Sequence, residues 1–148
     1  MAYKMKLNVP CQGMPHIWNI SGDVGVTGEC RNATDDVELV QRLIIERYKV
    51  IPSKMPRAGG IGMIANATGI MDTQTAFDIY WAGELAKPHK MAEKISPARG
   101  GSISYGSGYW TIGYLNLKLF LSAPQVWANL PELCSPLLMT ALLTKTWP

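Results

Sequence analysis

The chain of 148 residues is 47% hydrophobic and 17% charged, with a mean hydropathy of +0.03, which fits one globular domain and excludes a disordered chain. Fourteen Lys and Arg against eleven Asp and Glu leave a formal charge of +3, too small and too scattered for a nucleic-acid stripe. No run reaches the ~18 apolar residues that a membrane-spanning helix needs, and the opening MAYKMKLNVP lacks the apolar stretch of a secretory signal, so the chain is expected to be made in the cytoplasm and to leave it only on another carrier.

Tyr3, Met5, Leu7 and Val9 alternate with Lys4, Lys6 and Asn8, the period of a half-buried strand. Pro10 is expected to end it, and the strand should pair at an edge, within the chain or with a partner. Ile17 to Ile20, with Val24 and Val26, completes a small antiparallel pairing in the first 27 residues. A helix is predicted from Thr34 or Asp35, whose side chains can cap it, with Asp35 and Glu38 spaced as a capping box. It runs to about Tyr48, with Val37, Val40, Leu43, Ile44 and Tyr48 on one stripe and Glu38, Gln41, Arg42 and Glu46 on the other face. The run from Pro56 to Gly62 reads as a loop. The turn Thr68 to Asp72 feeds a second helix, capped by Asp72 or Thr73. Ala76, Ile79, Tyr80 and Gly83 lie on one side of it and Phe77, Trp81 and Leu85 on the next, so it should be central to the core, meeting the first helix near Ile79 and Tyr80. Lys87 to Lys90 ends it. The glycine-rich stretch Ser96 to Gly108 reads as a long surface loop, Trp110 to Phe120 as a third helix, and Ser135 before Pro136 as the cap of a last one.

Three cysteines, Cys11, Cys30 and Cys134, are an odd number at wide spacings, so they define no disulfide framework. With His16 they could supply zinc ligands, but no C-x-x-C places two together, and neither metal nor cofactor is expected. The glycosylation patterns at Asn19, Asn32 and Asn66 go unread without a secretory signal. A nucleophile would have to be Cys30 or Cys11 paired with His89 or His16. Without an oriented base these read as ordinary cysteines and the chain as no enzyme. Asp35, Asp36 and Asp72 read as helix caps and Asp78 and Glu84 as surface residues, leaving no acid/base pair. Lys87, Lys90 and Lys94 read as a solvated loop. Five tryptophans and six tyrosines exceed what one core of this size hides, which points to a binding surface with Tyr105 and Tyr109 as its most exposed members.

Gly25-Val26-Thr27-Gly28, then Asn32-Ala33-Thr34-Asp35-Asp36-Val37 and Val40-Gln41-Arg42-Leu43, resemble the opening of the peptidoglycan-binding-like domains found in phage and type VI contractile secretion proteins. Thr68 to Thr75 is similar to their Asp-Gly-x-x-Gly-x-x-Thr turn. Lys94-Ile95-Ser96-Pro97 and Trp110-Thr111-Ile112-Gly113-Tyr114-Leu115-Asn116 are similar to the loop and helix that close the module, so the resemblance spans residues 22 to 116. Thr68 stands for the family's acidic residue, Asp72 for its second glycine, and Ala82-Gly83 where Phe-Gln usually ends the second helix. The resemblance implies a mainly α fold, a three-helix bundle, with short N-terminal strands (1–27), a helical core (28–121) and a C-terminal helical extension (122–148) in one domain. It implies a non-catalytic module of a phage-like or type VI apparatus that binds cell wall or a protein. The alternatives are an adaptor of that apparatus with no glycan binding, or a small cysteine amidase. The implied ligand groove lies between the second and third helices, with Gly69, Asp72 and Thr75 on its turn and Tyr105, Tyr109 and Trp110 on its loop.

Overall fold

The computed structural model describes residues 1–50, 64, 66–86 and 93–147, the last without its side chain. The predicted loop 56–62, the end of the second helix at 87–90, His89 and the indole of Trp147 lie outside the described residues. The described chain is mainly α-helical, with a few short strands.

Strands β1 (Tyr3–Cys11) and β2 (Met14–Asn19) form an antiparallel hairpin. Its two-residue turn carries Gln12 and Gly13 at φ 49° and 90°, the doubly positive geometry whose twist matches the strands. The expected edge position is corrected: β1 is the middle strand, because β7 (Thr146–Trp147) adds to it in parallel, opposite Lys4 and Met5. Pro10 does not end β1, because the register with β2 breaks between Lys6 and Cys11 and proline is tolerated where no ladder N–H is needed. The break also interrupts the alternation: Met5 and Leu7 are buried, while Val9 is 76% exposed.

Helix α1 (Thr34–Val50) was expected to bury one stripe, but its polar face is buried as well. Buried polar groups persist when each finds a partner, and here the partners come from every side. Asp35 and Asp36 do not serve their own helix as expected. Asp35 accepts the Ala2 N–H at 2.7 Å, and Asp36 accepts the N–H groups of Ser21 and Gly22 and the Ser21 hydroxyl, each at 3.0 Å. Burial nevertheless raises the Asp36 pKa above the usual carboxylate range. Glu38 closes no capping box; its carboxylate accepts both the N–H and the hydroxyl of Ser135, at 2.7 and 2.6 Å. Gln41 binds the turn before α2, and Arg47 donates to the Tyr114 hydroxyl. The central helix is therefore α1.

Helix α2 (Thr73–Ala86) is capped by Asp72, which accepts the Thr75 N–H at 2.7 Å. It buries Thr75, Asp78, Ile79, Ala82, Gly83 and Ala86 along one stripe, leaving Tyr80 exposed and Phe77, Trp81 and Leu85 half-buried, so it flanks the core instead of crossing it. Asp78 is not on the surface: it is buried, accepting the Ile64 N–H at 2.9 Å and a Gln74 amide hydrogen at 3.2 Å. Helix α3 (Thr111–Ser122) packs on α1, and α2 touches both.

The stretch from Ser96 to Gly108 is not a surface loop, since Ser96, Pro97, Ala98, Gly101 and Ile103 are buried. Before it, β4 (Lys94–Ile95) pairs with β3 (Val24–Gly25). Asn19 then fastens it to the sheet, accepting from the Ala98 N–H at 3.1 Å and donating to the Ala98 carbonyl at 2.9 Å. Beyond α3 come α4 (Pro124–Ala128), a 3-10 turn (Leu130–Leu133) and α5 (Pro136–Thr144), the last with Ser135 as the predicted cap and Pro136 at its first position. One apolar cluster runs from Ala2 to Leu142. Among the described residues no helix is long and apolar enough to cross a membrane.

Candidate functional site

The hairpin of β5 (Ser104–Tyr105) and β6 (Gly108–Tyr109) turns through Gly106 at φ 58°. It is seated on α3 at two points. The Trp110 N–H donates to the Ile103 carbonyl at 2.9 Å, and a Cβ on Gly113 would stand 2.7 Å from the Cβ of Ile103. Only glycine allows that approach. Seated this way, the hairpin presents Tyr105 against Trp110, ring centroids 4.4 Å apart, and Tyr109 against Tyr114 at 6.1 Å. The Tyr114 ring also faces two cations, Arg47 at 5.2 Å and Lys118 at 5.6 Å. Tyr105, Tyr109 and Trp110 are half-buried, so each is held by packing on one side and offers aromatic area on the other, the property that suits such residues to sugar rings and protein partners.

Gly69, Asp72 and Thr75 form a separate hydrogen-bonded group. The Gly69 N–H donates to Gln41 Oε1 at 2.8 Å, and Gln41 Nε2 donates to the Thr75 hydroxyl at 2.9 Å and to the Ile70 carbonyl at 3.0 Å. Gly69 has φ 76°, and a Cβ there would meet Thr34 Cγ2 at 2.7 Å, so the turn lies flat on the start of α1. Hydrogen bonds from Thr75 hold the Asp72 carboxyl below its usual range. All three residues thus spend polar groups inside the fold.

The cysteines are free and half-buried. Cys30 Sγ lies 3.0 Å from the Thr27 hydroxyl. Cys134 donates to the Leu130 carbonyl, and burial, with the nearby Glu38 carboxylate, pushes its thiol up to about 12, where thiolate chemistry is suppressed. Among the described residues no three His, Cys, Asp or Glu side chains gather as metal ligands would. His16 packs edge-on to Trp18 and tilted against Trp127, ring centroids 4.7 Å apart in both cases, with its Nε2 buried and unbonded. Burial, and secondarily Lys4, lower its pKa to about 4. The unfolded chain therefore takes up this proton first on acidification, and stability should fall as the pH drops from about 6.5 towards 4. Urea midpoints measured across that window should decline, with a shallower slope in His16→Phe.

Sequence reasoning missed the residues that knit the elements together, Asn19, Gln41 and Asn116, whose only sequence signal was that Gln41 and Asn116 fall inside the motifs quoted above. It also placed Tyr80 inward, whereas Tyr80 and Trp81, with ring centroids 5.4 Å apart, form a partly exposed pair on α2. No protein-family model, curated protein or solved structure matches the chain.

Proposed function

We propose that the chain is a non-catalytic, peptidoglycan-binding-like module of a phage-like or type VI contractile apparatus, built on a three-helix bundle of α1, α2 and α3. In this reading it is made in the cytoplasm and carried by that apparatus. It presents the Tyr105–Trp110 hairpin to cell wall or to a protein partner. The observation that carries the reading is that residues of separate motifs meet: Gln41, from the Val-Gln-x-Leu helix, holds Gly69 and Thr75, from the turn before the second helix. Contact between those motifs is what such a bundle would require.

The test is sedimentation with purified peptidoglycan beside capture of native partners. Tyr105→Ala and Tyr109→Ala should each weaken the relevant association about tenfold, the usual cost of truncating an anchoring aromatic, without moving the melting temperature by more than a few degrees. Unchanged affinity for both wall and partner would remove the hairpin from the site. A second reading, an adaptor with no glycan binding, is favoured by the internal engagement of Gly69, Asp72 and Thr75. It predicts partner capture without sedimentation. The cysteine amidase alternative predicts wall digestion that Cys30→Ala abolishes.

A further inference from the structure

A groove of about 290 Å³ opens beside the first residues of β1, lined by Tyr3, Met5, Ser21, Pro97, Ala98 and Arg99. A second hollow of about 280 Å³ shares Tyr3 and Ser21 with it and brings in Lys145. The backbone that carries Arg99 is fixed on both sides. Asn19 holds the Ala98 N–H and carbonyl, the Asn8 amide donates to the Gly100 carbonyl at 2.8 Å, and the Asn8 N–H donates to the Gly101 carbonyl at 2.9 Å. Gly100 and Gly101 supply the positive φ values, 70° and 66°, that this path needs, and a Cβ on Gly101 would strike the Asn8 side chain at 2.5 Å. The Arg99 side chain that this backbone carries is exposed and makes no hydrogen bond or ion pair among the described residues. No ion pair joins Arg99 to Asp35 or Asp36, whose carboxylates accept from Ala2, Ser21 and Gly22.

We propose that this groove is a carboxylate-binding site, in which Arg99 grips the carboxylate of a short peptide or small organic acid beside the half-buried Tyr3 ring. The chemistry favours a carboxylate over other anions. A guanidinium offers parallel N–H donors to a planar, two-oxygen acceptor. The remaining lining leaves few free donors, because the Ser21 hydroxyl already donates to Asp36 and accepts from the N-terminal amine, which suits a planar two-oxygen acceptor better than a tetrahedral dianion needing several donors. The four backbone clamps hold the arginine's Cα in place before the ligand arrives, so less ordering is lost on binding. Lys145, across Tyr3 and Ser21, extends the same positive field along the groove. The site is separate from the aromatic hairpin and stands or falls independently of it.

The test is titration of the full chain with N-acetylalanine, N-acetylalanine amide and inorganic phosphate, followed by amide NMR. The carboxylate should give saturating shifts at Ser21, Ala98, Arg99 and Gly100, while the amide, identical apart from its charge, gives none and phosphate binds more weakly. Arg99→Gln should weaken carboxylate binding about tenfold, as loss of a charged hydrogen-bond pair does, with an unchanged melting curve because Arg99 is exposed and unbonded. Lys6→Gln, on an exposed side chain that alternation puts on the other face of β1, should leave the affinity within about twofold, a surface-charge effect only. Failure of the carboxylate to saturate, tighter binding of phosphate, or equal binding by Arg99→Gln would each overturn the proposal.

Discussion

Replacement of Asn116 by alanine is expected to cost about 4 kcal/mol. Asn116 lies on α3, fully buried, and its carboxamide is used at both ends. Its oxygen accepts the Trp18 N–H at 2.9 Å and the Trp127 indole N–H at 3.0 Å; its nitrogen donates to the Trp18 and Ile112 carbonyls, each at 2.9 Å. One side chain thus binds β2 to α3 and α4. The Trp18 indole completes the circuit by donating to the Trp127 carbonyl at 2.9 Å. Alanine leaves the Trp18 N–H and carbonyl and the Trp127 indole N–H buried without partners, at roughly 1 to 3 kcal/mol each. A domain of this size has about 5 to 15 kcal/mol in total, so the variant should unfold at a much lower urea concentration, measured by tryptophan fluorescence and by far-ultraviolet circular dichroism. Asn129→Ala is the control, since that side chain is exposed and makes no cap hydrogen bond, and it should change stability by less than about 0.5 kcal/mol. Equal midpoints for the two variants would show that the carboxamide network contributes little.

The same residue explains what was legible in the sequence and what was not. Local signals were read correctly where the determinant is local: the alternation of Tyr3 to Leu7, the Asp72 cap, and Ser135 followed by Pro136 all depend on neighbours a few positions away. The errors arose where a partner distant in the chain decides. A helix carrying Asp36, Glu38, Gln41 and Arg47 reads as half solvated, because nothing near it reveals that Ser21, Ser135, Gly69 and Tyr114 will meet those groups. The stretch after Ile95 reads as a loop from its glycines, yet one of them, Gly101, serves close approach to Asn8, as Gly113 on α3 does to Ile103. Period and propensity report which face is apolar. They cannot report that a polar face is satisfied inside, since that depends on pairing across the fold. The candidate site divides in the same way. The aromatic residues of the hairpin were legible by type, whereas the occupied state of Gly69 and Thr75 became visible only through Gln41.

Gln41→Ala is the second large effect, and it bears on function as well as stability. The substitution removes the acceptor of the buried Gly69 N–H and the donor to Thr75, Ile70 and, at 3.3 Å, the Thr68 hydroxyl. Thr75 still serves the Asp72 cap through its own N–H. The expected loss is therefore about 3 kcal/mol, mostly from the stranded Gly69 N–H and the lost donor to the buried Thr75 hydroxyl. It should be concentrated locally. Amides of α2 should exchange roughly a hundredfold faster, while those of α3, held separately through Asn116, change less, because such openings follow the cooperative units that a contact joins. Uniform acceleration across α1, α2 and α3 would instead mean that the turn and the core open together. The same variant separates the two halves of the proposed ligand face. If the turn contributes to it, freeing Gly69 and the Thr75 hydroxyl from Gln41 should alter the affinity for wall or partner even where the protein remains folded. If the hairpin acts alone, affinity should follow Tyr105 and Tyr109 and ignore Gln41, because the hairpin is seated through Ile103 on Trp110 and Gly113 and owes none of its geometry to the turn.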